Sequence, residues 1–405
     1  MSHGEATKLV VLAGPADSYR LGPFRRAAAE IGASVVVLTD RPLALNRAAR
    51  HTDFDRLNPD LDVIADLRPD AVIATDAVAS GFAAAAGMAF GLRTNSPLAV
   101  SAARDKGQQR LAAQRAGVRQ PDFVLVTADG DCGAAAFAVG LPAVVKPLRL
   151  TASRGVVRVE DPLDARAIAP LVRELSGEST LLIEQFIPGG EVALEGLLDD
   201  GHLHALAFYD KPDAPQGPTF PETTLITPSQ LGIAWRDNLL ADTEAICAEL
   251  GLRHGPVHAE FRIDDAGQGW FLELAARTIG GRCASLLRFR DPHTNGWRTL
   301  EELVLRQALG LEFTHEAAEG AAGVWMIFIT HSGRLIALEG VEEVAALPAI
   351  TEVAIDVAVG DRVEALPRGD RYPGFVFARG DNPTEVHVAL SKAAATLRLV
   401  IEPER

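Results

Sequence analysis

Three observations predict that this chain mixes α/β and α+β architecture and folds into two or three domains. Up to about residue 95, continuous apolar runs alternate with helical segments, which is the pattern of a doubly wound α/β domain. Beyond Glu312, short strands mix with two helices, which is typical of a small α+β domain. The length of 405 residues agrees with this number of domains, because roughly 150 residues make one domain.

The first part of the chain carries the α/β signal. The runs at 8–14, 34–40 and 70–76 are apolar throughout, as expected for strands buried on both faces of a parallel sheet. A helix is predicted near Gly22 to Ile31. The loop after the first strand lacks a GxGxxG fingerprint, so we expect no dinucleotide site there.

Composition and charge narrow the classes of partner. A net charge of −15 argues against nucleic acid and against anionic membrane surfaces. The apolar stretch from Ala71 to Leu92 is interrupted by Asp76, so it predicts a buried strand and an Ala-rich helix rather than a membrane span. The three cysteines are far apart in sequence and predict reduced thiols in a cytoplasmic protein.

Two lysines stand in settings that suit phosphate binding. A helix is predicted from Ala103 to Ala116, with Gly117 closing it and Lys106 in its first turn. Lys146 lies inside a β-branched strand, just before the small-residue loop 151–155. A lysine beside a loop rich in backbone N–H groups is a phosphate-binding arrangement, although a plain hairpin with an edge lysine fits the same residues.

The segment 180–212 predicts three further strands. Glu191 and Glu195 alternate with apolar residues and therefore share one face of their strand. Ser229 is a candidate cap for a long helix that ends near Gly251.

The stretch 255–281 predicts a β-hairpin that carries one glutamate on each strand, Glu260 and Glu273. Both glutamates have apolar neighbours, where a lone carboxylate is costly unless it is paired or binds a metal. Arg277 and the pair Gly280–Gly281 follow. Two carboxylates and a cation can hold Mg²⁺ and a phosphoryl group. A solvated hairpin with charges on its outer face explains the hairpin alone equally well.

Four motifs in order resemble the ATP-grasp superfamily: DK at 105–106, VVKP…SRGV at 144–156, LIEQFIPGGEVALEG at 181–196 and HAEF…FLELAAR at 258–277. The run from GVWMIFITHSGRLIALEGVEEV to YPGFVFARG resembles the C-terminal domain of L-amino acid ligases, and FYDKPDAPQGPTFPETTLITPS resembles their substrate-side segment. The resemblance implies an ATP-grasp fold with three domains: 1–95, 96–312 (lid about 120–190) and 313–405.

The resemblance also implies an ATP site. Lys106 and Lys146 would hold the ATP phosphates, and the loop would cover them. The remaining nucleotide residues implied by the family pattern are Ser153, Arg154, Gly155, Glu184, Gln185, Phe186, Ile187 and Glu191. The segment from Glu184 to Ile187 would frame the adenine, and Glu191 would meet the ribose.

Metal, transfer and substrate roles follow from the same resemblance. Glu260 and Glu273 would bind Mg²⁺, with two ions expected and Mn²⁺ as an alternative. Arg277 would contact the transferred phosphoryl group, and the amides of Gly280 and Gly281 would stabilise the oxyanion. Glu222 would receive the amino group of the substrate.

Two features of the same region refine the resemblance. Ala275 departs from it, because many relatives have asparagine there. His258 is a candidate base for the amine, but a hydrogen-bonded structural histidine is the stronger interpretation.

The expected function is ATP-dependent ligation of an amino acid or similar carboxylate to an amine through an acyl phosphate. Two alternatives stay open: another ligase or a carboxylase of the same fold, and an ATP-binding module without turnover. A homodimer is common among such enzymes.

Overall fold

The computed structural model describes residues 7–42, 49–54, 56, 58–294, 296–317 and 319–403. The N-terminal part is an α/β unit around a parallel sheet with the strand order β3-β2-β1-β4. This confirms the three predicted strands and the predicted helix. The elements are β1 Leu9–Ala13, α1 Leu21–Glu30, β2 Ser34–Thr39, β3 Arg50–His51, α2 Asp62–Ala65, β4 Ala71–Ala74 and α3 Ser80–Ala89, with a 3₁₀ turn at Ala77–Ala79.

The helix predicted from Ala103 to Ala116 is present as α5 Lys106–Ala116, and a separate helix that was not predicted, α4 Pro97–Ala103, precedes it. Helical structure is interrupted at Asp105. Its side chain accepts hydrogen bonds from the amides of Gly107 and Gln108 and so starts α5. The predicted end is confirmed, because Gly117 closes α5 in the left-handed conformation with φ 70°.

A four-stranded antiparallel sheet follows, with the order β5-β8-β6-β7. Two helices cover one face of it and share its apolar core. Lys146 and Glu184 lie on adjacent strands of this sheet. Glu184 stands opposite Val144, two residues before Lys146. The elements are β5 Phe123–Val126, α6 Cys132–Val139, β6 Ala143–Pro147, β7 Val157–Val159, α7 Pro162–Ser176 and β8 Leu181–Gln185.

The three strands predicted in 180–212 and the predicted hairpin are present, together with a long helix. That helix begins after Gly232, so the Ser229 cap was wrong: the Ser229 hydroxyl donates to Asp210 instead. The elements are β9 Gly190–Asp199, β10 His202–Lys211, β11 Thr224–Thr227, α8 Ile233–Leu250, β12 Gly255–Ile263, β13 Gly269–Ala275, β14 Phe289–Arg290, β15 Trp297–Arg298, α9 Leu300–Ala308 and β16 Glu316–Ala317, with a 3₁₀ turn at Cys283–Leu286.

The C-terminal part is α+β, as predicted, and its strands extend the large sheet of the middle region. That antiparallel sheet has eight strands in the order β13-β12-β9-β10-β11-β17-β21-β19. The join is β11 to β17, so the sheet is continuous across residue 312. The elements are β17 Ala321–Ile327, β18 Gly333–Glu339, α10 Val341–Ala345, β19 Ile350–Ile355, β20 Arg362–Val363, β21 Gly374–Gly380, α11 Pro383–Thr396 and β22 Arg398–Glu402. Among the helices described here, none is long and apolar enough to cross a bilayer.

Candidate active site

The central strands of the large sheet set the floor of the site. In the β12–β13 hairpin, Glu260 stands directly opposite Glu273, with a bulge immediately after Glu260. On the other side of β12, Arg262 stands opposite Glu191 of β9. Because side chains on one face of a strand are two residues apart, this register places the three glutamates on one surface.

A cavity of about 820 Å³, open solvent included, lies between this surface and the four-stranded sheet. It gathers residues from five separate segments of the chain. The predicted site residues that line it are Lys106, Lys146, Ser153, Glu184, Gln185, Phe186, Ile187, Glu191, Glu222, Glu260 and Glu273. A concave site with converging charged groups is the usual form of a small-molecule pocket.

The acidic end of the cavity, which we define as Glu191, Glu222 and Glu260, is organised around Lys211. The Lys211 ammonium lies 2.5 Å from Glu191, 2.9 Å from Glu222 and 2.7 Å from Glu260, and its side chain is only 4% exposed. Burial lowers the pKa of Lys211, but the three carboxylates raise it well above its usual value. The lysine is therefore a fixed positive charge in an acidic setting.

The three carboxylates of the acidic end do not share their environment equally. Burial acts to raise the pKa of Glu260, but Lys211 and the hydrogen bond from His258 hold it well below its usual range. Burial raises the pKa of Glu222 to about 7, where the attraction of Lys211 is opposed by repulsion from Glu260 and Glu191. Glu222 is thus the carboxylate of this end that lacks a sufficient share of positive charge.

His258 is held from both sides. Its Nδ1 lies 3.1 Å from Glu195, which is completely buried, and its Nε2 lies 3.4 Å from Glu260. Burial lowers the pKa of His258, but these two hydrogen bonds raise it to about 9. Since both ring nitrogens are engaged, the structural role is favoured over that of a free base.

The cationic end of the cavity, which we define as Lys106 and Lys146, lies on the other side, and the buried Arg110 adds a third cation outside the lining. The Lys106 ammonium donates to the Leu150 carbonyl at 2.8 Å and lies 3.1 Å from Glu273. Lys146 and Arg110 both pair with Glu184, whose side chain is 2% exposed. Burial raises the pKa of Glu184, but these two cations lower it below its usual value. The Glu184 carboxylate is therefore committed to ion pairs.

An apolar section follows along β8 and its continuation. Phe186 and Ile187 are buried, and the Phe186 ring lies 6.1 Å from that of Phe220. The guanidinium groups of Arg158 and Arg262 lie 4.4 and 5.6 Å from the Phe186 ring centroid. Phe186, Ile187 and Phe220 give the cavity an apolar lining that suits a planar base.

The loop 151–155 borders the cavity through Ser153, whereas Arg154 and Gly155 do not line it. Ala152 and Ser153 adopt left-handed conformations, with φ of 55° and 57°. Such values are strained for residues other than glycine and cluster at segments that clamp ligands. The Gly155 amide donates to the Pro367 carbonyl at 2.9 Å, which ties the loop to the C-terminal part.

Arg277, Gly280 and Gly281 lie outside the lining of the nucleotide cavity. Arg277 donates to the carbonyl of its neighbour Thr278 at 2.9 Å and borders a separate cavity beside the N-terminal unit. Gly281 has φ 59°, and a Cβ there would come within 3.2 Å of the Met326 sulfur, so this position needs glycine.

Glu260 and Glu273 fit a magnesium ion, whereas the Lys211 ammonium already lies among the three carboxylates of the acidic end. Glu191, Glu222 and Glu260 each offer an oxygen, and these oxygens lie within 4.8 Å of one another. Glu273 faces Glu260 across the hairpin. Oxygen ligands of this kind suit Mg²⁺, and Lys211 already shows that the group needs a cation.

Two sequence families match the chain, and the first of them covers most of the segments that line the cavity. Residues 139–286 match the family described as "ATP-grasp domain", and residues 325–402 match "L-amino acid ligase C-terminal domain 2". The chain has an ATP-grasp domain and an L-amino acid ligase C-terminal domain.

Individual relatives agree with this assignment. Alanine–anticapsin ligase of Bacillus subtilis is 29% identical over 213 residues, 47% of this chain and 44% of the relative. D-Alanine–D-alanine ligase of Nitrosomonas europaea is 31% identical over 183 residues, 44% of this chain and 57% of the relative. The match thus spans about half the length of these relatives. The crystal structure of an L-amino acid ligase from Bacillus licheniformis has a TM-score of 0.80 at 24% identity, covering 98% of this chain and all of that one, and it shows the same fold.

The sequence did not identify two residues that matter to the electrostatics of the site, Lys211 and Arg110. A signal for Lys211 was present, because it stands near the end of a strand and immediately before a proline, just as Lys146 does. Arg110 gave no such signal. It reads as a surface residue of a helix, yet it is 1% exposed and donates to the Phe271 and Leu272 carbonyls.

Proposed function

We propose that the chain is an ATP-dependent carboxylate–amine ligase that joins an amino acid to an amine and releases ADP and phosphate. The observation that carries the proposal is the single cavity with a cationic end at Lys106 and Lys146 and an acidic end at Glu191, Glu222 and Glu260. A magnesium–nucleotide needs both kinds of charge side by side, cations for phosphates and carboxylates for the metal.

The reaction has two steps. First, the substrate carboxylate oxygen attacks the γ-phosphorus of ATP, the bond to the bridging oxygen breaks, and ADP leaves with that electron pair. Then the amine nitrogen bonds to the carbonyl carbon of the acyl phosphate, phosphate leaves with the carbon–oxygen electron pair, and the amine protons pass to solvent. An acyl phosphate hydrolyses readily, so the loop 151–155 would close over it and exclude water.

The residues divide this work among them. Lys106, Lys146 and the loop 151–155, with Ser153, Arg154 and Gly155, would bind the phosphates. The segment from Glu184 to Ile187 would hold the adenine. When bound at Glu260 and Glu273, Mg²⁺ supplies charge neutralisation for the transferring phosphoryl group.

Four further residues have proposed roles at the reacting groups of the substrate: Arg277, Gly280, Gly281 and Glu222. Arg277, Gly280 and Gly281 lie beside the cavity rather than in its lining, so their proposed roles in phosphoryl transfer and oxyanion stabilisation require a shift of that loop. Glu222 would bind the substrate ammonium, because the positive charge around Glu222 does not fully compensate its own negative charge.

The proposal also covers the metal ions, the oligomeric state, the cellular location and the domain limits. Two Mg²⁺ ions, with Mn²⁺ as a substitute, and a homodimer are supported by the family resemblance. A cytoplasmic location is supported by the three cysteines, which are buried free thiols. The domain limits 1–95, 96–312 and 313–405 follow the functional division into an N-terminal unit, an ATP-grasp domain with its lid, and a C-terminal domain.

The test is ADP release from MgATP by the full chain in three mixtures: amino acids, bicarbonate with a carbon–nitrogen acceptor, and ATP alone. Release that requires amino acids, with dipeptides identified by mass spectrometry, is the expected result. Release that requires bicarbonate would make the protein a carboxylase. Tight ATP binding without release in any mixture would make it a binding module.

A further inference from the structure

A second cavity adjoins the nucleotide cavity and takes no part in the roles described so far. It encloses about 710 Å³, open solvent included, between the ATP-grasp and C-terminal parts. Pro221 lines both cavities. Ala152 lines the second cavity, and its neighbour Ser153 lines the first. The loop 151–155 and the segment that carries Glu222 therefore lie between the two spaces.

Arg371 gives this second cavity its charge. Its guanidinium donates a hydrogen bond to the Arg362 carbonyl at 3.4 Å. No carboxylate among the residues described in the structure pairs with it. Glu364 also lines the cavity, but it lies 3.4 Å from the Arg362 guanidinium. In the same segment, Arg368 pairs with Glu174 outside the cavity. The cavity thus offers one guanidinium that is free to bind a carboxylate.

The remaining walls suit the rest of a small amino acid. Phe328, Ile329 and Leu366 supply apolar surface. Tyr372 separates the cavity from the acidic end, and its phenol oxygen accepts a hydrogen bond from the Glu222 amide at 2.8 Å. The wall of the second cavity is therefore in direct contact with the residue proposed to bind the first substrate.

We propose that this second cavity binds the amino acid that acts as the amine substrate, and that Arg371 binds its α-carboxylate. The inference rests on the proposed function, because it concerns the nucleophile of that reaction. An amino acid nucleophile carries a negative charge that the three glutamates of the acidic end would repel. A guanidinium outside that end can pair with the carboxylate in a bidentate manner and leave the amine free to reach the acyl phosphate.

The test offers the enzyme both kinds of nucleophile at once. The full chain is incubated with MgATP and an equimolar mixture of neutral proteinogenic amino acids and their α-carboxamides. The carboxamides lack the carboxylate, so they can act only as nucleophiles. Mass spectrometry measures the ratio of dipeptides to dipeptide amides in one sample, and this ratio does not depend on how much of a variant is folded.

Arg371→Ala should lower this ratio roughly ten- to hundredfold, the range expected for a hydrogen bond to a charged group. Arg371→Lys should restore part of it. The matched control is Arg368→Ala, which removes a guanidinium from the same segment but outside the cavity and should keep the wild-type ratio. MgATP affinity should be equal in all four proteins.

Two results would overturn the inference while leaving the proposed function intact. One is a ratio within twofold of wild type in Arg371→Ala. The other is an equal fall in Arg368→Ala, which would indicate a general effect on the segment. A wild-type enzyme that forms neither dipeptides nor dipeptide amides from the mixture would instead refute the proposed function, and the inference with it.

Discussion

The two ends of the nucleotide cavity are both built from buried ion pairs, yet they are balanced differently. At the cationic end, Glu184 is shared by two cations, Lys146 and Arg110. At the acidic end, one cation, Lys211, is shared by three carboxylates. Removing one partner from a buried pair is costly when the remaining charge has no other partner. The difference therefore predicts which end needs an added cation and which end needs an added anion.

This polarity also explains the positions of the remaining charges. Arg262 lies 3.2 Å from Glu191 and adds positive charge at the edge of the acidic end. Lys106 and Glu273 form a pair that faces both ends. A bound magnesium–nucleotide would compete for both partners of this pair, the metal for the carboxylate and the phosphates for the ammonium.

The largest effect is expected at Glu273. Glu273→Gln keeps the size of the side chain and removes the charge that the metal requires. We expect turnover to fall more than a hundredfold at ordinary Mg²⁺ concentrations, which corresponds to more than about 2.7 kcal/mol of transition-state stabilisation. The measurement is ADP release across a Mg²⁺ titration. Turnover within about threefold of wild type would refute the metal role.

The second effect tests the acidic end directly. Lys211→Met leaves three carboxylates without their shared cation, so we expect the free energy of unfolding to fall by about 3 kcal/mol in the absence of divalent ions. Added Mg²⁺ should restore much of that loss, because it binds the folded state at the same carboxylates. Urea unfolding with and without Mg²⁺ measures both quantities.

Lys146→Met is the matched comparison for stability. Glu184 keeps Arg110 at 2.9 Å in this variant, so the loss of unfolding free energy should be smaller, about 1 kcal/mol, and indifferent to Mg²⁺. If Mg²⁺ rescues both lysine variants equally, the two ends do not differ in the way that their ion pairs indicate.

How far the sequence predicts this site depends on how local each feature is. The hairpin that carries Glu260 and Glu273 follows from alternation along two adjacent strands and a turn, but the bulge after Glu260 that sets the two glutamates opposite each other could not be predicted. The cluster around Lys211 could not, because its partners come from β9, β12 and the Glu222 segment, and only the strand order brings them together.

The conformation of the loop after β13 is a second feature that the sequence did not predict. Arg277 follows Glu273 closely in sequence, which favoured a place in the cavity, but the chain after β13 turns toward the N-terminal unit. The Arg20 guanidinium donates to the Ile279 carbonyl at 3.3 Å and holds that turn. A contact between residues so distant in sequence leaves no local pattern to detect.

The third effect concerns the nucleotide. Lys146→Met removes a cation from the cationic end, so ATP should bind about tenfold more weakly, a change of about 1.4 kcal/mol. Isothermal titration with a non-hydrolysable ATP analogue measures it. Equal affinity in variant and wild type would show that Lys146 serves only to pair with Glu184.

The smallest effect is expected at Glu222, and it separates the substrate from the nucleotide. Glu222 carries the least compensated charge of the acidic end, so a substrate ammonium would gain a charge-assisted hydrogen bond there. Glu222→Ala should raise the KM for the phosphorylated amino acid about fivefold, or roughly 1 kcal/mol, while ATP affinity stays unchanged. Steady-state kinetics and titration of the ATP analogue are measured on the same preparation. A parallel fall in ATP affinity would move Glu222 to the nucleotide site, whereas no change in either quantity would show that Lys211 holds this carboxylate for structure alone.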